Sequence, residues 1–136
     1  MLKKIDHIGI ATKSIAEALP FYTKSLNLEC THTEEVASEK VNTAFLPLGE
    51  VNIELLEGTD PESPITKYVE KRGEGIHHIC YQVDDINATL AQMKEQGIKL
   101  INEEPKRGAH NKLVAFVHPK STGGILIELS QDAGDH

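Results

Sequence analysis

Apolar and polar positions alternate along four short runs of the chain. In the first, Ile8 and Ile10 hold one phase and His7 the other. In the second, Ile53 and Leu55 hold one phase and Glu54 the other. The third sets Ile79, Tyr81 and Val83 against His78, and the fourth sets Ile125, Ile127 and Leu129 against Glu128. A period of two predicts strands with one face packed and one face free. Each free face carries a histidine or a glutamate. Helical spacing replaces alternation after the first and third runs. Ile15, Leu19, Tyr22 and Leu26 predict a helix over Ser14 to about Leu26. Ser14 followed by Glu17 reads as its capping box, and Pro20 should kink or shift it. Ile86, Leu90 and Met93 predict a second helix from about Ile86 to Gln96, with Gly97 as its stop.

The runs recur in the same order at nearly the same separation. His7 to Glu54 is 47 positions and His78 to Glu128 is 50. His7 to His78 is 71 positions and Glu54 to Glu128 is 74. This is an internal repeat, the feature to settle before any other assignment. Three strand-like stretches follow each helix: near Glu29–Glu34, Val41–Leu46 and Val51–Glu57, then near Lys99–Asn102, Leu113–His118 and Gly124–Ser130. The chain therefore reads as α+β, a single domain over 1–136 with two βαβββ modules at about 5–57 and 76–130. The connector Gly58–Gly75 holds Pro61, Pro64 and a short helical run, Ile65 to Lys71. The polar tail Gln131–His136 reads as loose.

Length and composition agree with one domain: 136 residues, 39% hydrophobic and 26% charged. No run of about 18 apolar residues predicts a membrane helix. MLKKIDHIGIA is too short in apolar residues for a secretory signal and reads as the first strand. Cys30 and Cys80 show no metal spacing, and two thiols without an export signal fit the reducing cytoplasm. A net charge of −7 argues against nucleic acid as partner. Lys106, Arg107, Lys112 and Lys120 form a local basic cluster all the same, read either as a solvated loop or as a phosphate-binding patch.

A lone histidine or glutamate on a strand is usually solvated or structural. Two of each, at matching places in a repeat, predict one shared metal site. His7, Glu54, His78 and Glu128 offer two imidazoles and two carboxylates, a set for a borderline or moderately hard divalent ion such as zinc, cobalt, nickel, manganese or iron(II). An ion that takes six ligands would keep two positions for a chelating substrate. His77 shares the phase of Ile79 and should be packed or stand behind the ligands in support of them, whereas Cys80 and Gln82 share the phase of His78.

From Ile5 to Ser130 the chain resembles the vicinal-oxygen-chelate (glyoxalase) superfamily and, within it, the methylmalonyl-CoA epimerase family. The likeness is carried by Ile5–Ala11, Ala44–Pro47, Ile53–Glu57, Gly73–Ile79, Val83–Ile86, Glu104–Gly108, and Phe116–Lys120 running on to Gly124–Leu129. The resemblance implies paired modules forming an open, barrel-like metal-binding cup. It places the metal on His7, Glu54, His78 and Glu128, with cobalt or zinc first and nickel or manganese next. It implies epimerisation of methylmalonyl-CoA at the carbon between thioester and carboxylate. Glu128 would be one acid/base group. Some relatives carry a second glutamate where this chain has Thr43, or Asn42 if the register slips, so Glu54 or a water held there would act instead. Lys106, Arg107, Lys112 and Lys120 would hold the CoA phosphates. A homodimer is expected from uncovered sheet edges. A glyoxalase-type lyase, an extradiol-type dioxygenase and a non-catalytic binding protein are the rival readings of the same fold.

Overall fold

A computed structural model describes residues 1–133. They form two compact units, one from His7 to His77 and the other joining Met1–Asp6 to the chain from His78 onward. The elements run β1 (Leu2–Ala11), α1 (Ile15–Pro20), β2 (His32–Val36), β3 (Val41–Leu48), β4 (Val51–Gly58), α2 (Pro64–Arg72), β5 (Gly75–Val83), α3 (Ile86–Glu95), β6 (Lys106–Arg107), β7 (Lys112–Val117) and β8 (Ile127–Asp132).

In the first unit β1 lies parallel to β4, and β4, β3 and β2 follow as antiparallel neighbours. Alternation gives this sheet two packed faces. Ile10, Ala44, Leu46, Ile53 and Leu55 lie under α1, against Ile15, Ala18 and Leu19. Burying Leu46 and Leu55 completely contributes about 1.5–3 kcal/mol each. On the other face Ala11, Val41 and Leu56 meet Ile65 of α2, with Tyr68 and Val69 packed alongside. Ser14 caps α1 by accepting from the Glu17 amide at 3.3 Å. Ser63 caps α2 by accepting from Ile65 at 3.2 Å, with Pro64 in the first turn, where its missing N–H costs nothing.

The second unit repeats this connectivity. β5 lies parallel to β8, and β8, β7 and β6 follow antiparallel. Val83, Ala115, Val117 and Leu129 pack under Ile86 and Leu90 of α3. Asp85 caps α3 by accepting from Ala88 at 3.0 Å.

Several predicted spans shift. The first helix stops being α-helical at Pro20 and continues as a π-helical turn, Phe21–Ser25, closed by Leu26 N donating to Phe21 O at 3.0 Å. The wider turn moves later residues off the stripe, so Leu26 is exposed instead of packed. The strand expected near Glu29–Glu34 starts only at His32. The strand expected at Lys99–Asn102 reduces to a single bridge, Leu100 to Val117. There the Asn102 side chain accepts from Phe116 N at 2.8 Å, the place a ladder carbonyl would take, and pairing resumes at Lys106–Arg107. The last strand begins at Ile127, after two left-handed glycines, Gly123 and Gly124, and runs on to Asp132. The tail is thus ordered further than expected: Gln131 Oε1 accepts from Ile86 N at 2.8 Å and Ala133 is buried. The rest of that tail lies outside the described residues.

Candidate metal centre

In a sheet, residues level with one another on neighbouring strands share a face. Glu54 stands level with Gly9 on β1 and Phe45 on β3. Glu128 stands level with Cys80 on β5 and Phe116 on β7. In each unit the histidine lies two residues before that level, on the same face: His7 before Gly9, His78 before Cys80. The two halves therefore present the same four-residue arrangement, histidine, small residue, glutamate and phenylalanine. The helices α1 and α3 cover the opposite faces.

Within the first unit His7 Nδ1 lies 3.2 Å from Glu54 Oε2. Within the second, His78 Nε2 lies 3.0 Å from Glu128 Oε1. All four residues are buried, at 6–8% exposure. A buried carboxylate needs a cation or several donors. A protonated ring nitrogen can donate to it at this distance. The same distance also fits two donors on one divalent ion: bonds of about 2.1 Å at near-right angles put neighbouring donors ~3 Å apart. The His78 ring is set by Phe116, whose centroid lies 5.8 Å away at 79°. His77 is packed as expected, edge-on to Tyr68 at 4.9 Å.

The β3–β4 register sets Thr43 and Asn42 on opposite faces of the sheet. Thr43 is level with Leu56, on the face of Glu54, and is buried. Asn42 is level with Glu57, on the α1 side.

The four cations separate. Lys106 is exposed and level with Val114, on the face of Glu128, whereas Arg107 is exposed on the opposite face and bonds Asn111. Lys120 is exposed in the turn after His118. Lys112 is half-buried, donates to the buried carboxylate of Asp6 and lies 3.9 Å from Asp132. Burial works against its charge, but the hydrogen bond and charge of Asp6, with Asp132 and Cys80 adding to them, outweigh it and hold the pKa above 10.5. Asp6 escaped the sequence reading, since alternation sets it on the other phase from His7; its one signal was a charge inside an apolar strand. No described helix is long and apolar enough to cross a membrane.

Known proteins resemble this chain along nearly its whole length. The family model for the glyoxalase/bleomycin resistance protein/dioxygenase superfamily matches residues 6–116. The chain is 40% identical to the uncharacterised YqjC protein of Bacillus subtilis, over 98% of this chain and 96% of that one. It is 38% identical to an ethylmalonyl-CoA/methylmalonyl-CoA epimerase of Cereibacter sphaeroides, over 96% and 99%. A solved methylmalonyl-CoA epimerase in complex with methylmalonyl-CoA and ammonium superposes with a TM-score of 0.93 at 34% identity, covering 98% and 97%.

Proposed function

Since the chain belongs to the glyoxalase/bleomycin resistance protein/dioxygenase superfamily, with epimerases among its relatives, we propose that it is a metal-dependent epimerase of methylmalonyl-CoA. The observation that carries this is the pair of buried His–Glu couples at 3.2 and 3.0 Å, placed at equivalent ladder positions by the repeat. His7, Glu54, His78 and Glu128 together would hold one divalent ion, cobalt or zinc before nickel or manganese. Bound there, the ion would supply Lewis-acid stabilisation of the enolate formed from a chelated thioester and carboxylate.

The residues of the chain do the rest. Inversion needs proton exchange on both faces of a planar enolate. Glu128 takes or returns the proton on one face. Glu54, its counterpart in the repeat, serves the other, with the Thr43 hydroxyl on the same side of its sheet. Phe45 and Phe116 stand level with the two glutamates on the neighbouring strands. Lys106, Arg107 and Lys120 are the exposed cations for the CoA phosphates.

Proton NMR of methylmalonyl-CoA in heavy water tests the reading. Cobalt-loaded protein should exchange the α-proton of both enantiomers, and chelator should abolish it. Glu128→Gln and Glu54→Gln should each slow exchange of one enantiomer more than the other. No exchange with any divalent metal would overturn the proposal, and full exchange in Glu54→Gln for both enantiomers would remove Glu54 from the mechanism.

A further inference from the structure

The second unit holds a cation that the metal chemistry does not use. Lys112 opens β7 level with Asp132, Val114 follows level with Ser130, and Phe116 level with Glu128. Lys112 and Glu128 therefore share one sheet face, away from α3. The Lys112 stem is half-buried, and its ammonium is anchored on Asp6, itself 5% exposed. An ammonium has three donors, and Asp6 takes one, with Asp132 too far at 3.9 Å for a hydrogen bond. Cys80, level with Glu128, lies on that same face. On the same face, between Glu128 and Asp132, Ser130 Oγ is buried and has no hydrogen-bond partner among the described residues. A buried hydroxyl left unpaired is unfavourable until an acceptor arrives.

We infer that Lys112, with Ser130 beside it, forms the seat for the free carboxylate of the substrate, and so selects carboxylated acyl thioesters over plain ones. The inference rests on the acyl-CoA reading above and deepens it. A malonyl-type substrate has two carboxylate oxygens, of which chelation would take one. The other is an anionic acceptor with the right chemistry for a spare ammonium donor and an unpaired hydroxyl. Asp6 acts as a positioning residue: it holds the lysine charged and fixes its direction without being consumed by the substrate. This sets Lys112 apart from Lys106, Arg107 and Lys120, whose exposed side chains suit phosphates at the rim.

Calorimetric titration of the cobalt-loaded protein with methylmalonyl-CoA and with propionyl-CoA, which lacks only the carboxylate, tests this. Lys112→Met should weaken methylmalonyl-CoA about tenfold or more, the scale of one hydrogen bond to a charged group, and leave propionyl-CoA within about twofold. Lys112→Arg should recover part of the loss. Because Lys112→Met takes a cation away from the buried Asp6, the double variant Asp6→Asn/Lys112→Met provides the same deletion with that carboxylate neutralised. Equal weakening of both ligands would overturn the inference and assign Lys112 to the CoA moiety, and an unchanged ratio in both variants would also overturn it. Wild-type protein that discriminates the two ligands yet exchanges no α-proton would support the carboxylate seat while overturning the epimerase reaction.

Discussion

Gly58 ends β4, four residues after Glu54, and faces the start of α2. A Cβ built there falls 1.9 Å from Thr66 Oγ1, 2.8 Å from Ser63 Oγ and 2.9 Å from Ser63 Cβ. Gly58→Ala therefore cannot be accommodated by a side-chain tip alone. Thr66 must give up the bond it donates to Asp60 O at 2.8 Å, about 1 kcal/mol. Ser63 must leave the cap it provides to Ile65, another ~1 kcal/mol. The residual crowding at this half-buried position adds about 1–3 kcal/mol. The sum is roughly 3–5 kcal/mol, a large share of the 5–15 kcal/mol typical of a domain. For a chain of this size it lowers the melting temperature by about 10–20 °C. Circular dichroism melts would show it, with Gly75→Ala as control, since no atom of the described residues lies within 4 Å of a Cβ there. The consequence reaches the site, because α2 covers Leu56, two residues from Glu54. Cobalt affinity should fall alongside stability. A Gly58→Ala protein that melts within about 2 °C of wild type would refute the packing argument.

Three further outcomes are expected. Cobalt at a hundredfold excess over its dissociation constant should stabilise the fold by about 2.7 kcal/mol, read as a higher melting temperature that His78→Ala abolishes and chelator reverses. Asp85→Ala removes the cap of α3 and should cost ~1 kcal/mol, lowering the melt by a few degrees without changing metal affinity in a calorimetric titration. The raised pKa of Lys112 means that its contribution is complete below pH 10.5 and is lost as pH rises through the folded value; alkaline denaturation should therefore be less steep for the Asp6→Asn/Lys112→Met protein, and an unchanged pH profile would rule out this pair as the cause.

The repeat, the two module topologies and the four candidate ligands were legible in the linear chain because period-two alternation is a local property. His7, Glu54, His78 and Glu128 each break an apolar phase, and a strand can only turn such a residue to its free face. Edge pairing was less legible. Asn102 replaces a ladder carbonyl with its own amide and moves the outer strand from Lys99–Asn102 to Lys106–Arg107, a choice made by one side chain reaching across to β7. Pro20 announced a disturbance, but its form, a π turn that exposes Leu26, depends on how the following residues close onto Leu28 and Cys30 in the core. Cross-strand register lay beyond the linear pattern altogether. It set Thr43, and not Asn42, on the sheet face of Glu54, and it separated Lys112 from the three exposed cations by bringing it to Asp6, 106 positions away. Alternation tells which face a residue takes within its own strand; which residues meet across strands depends on ladder alignment and burial, and those arise only when distant segments pack.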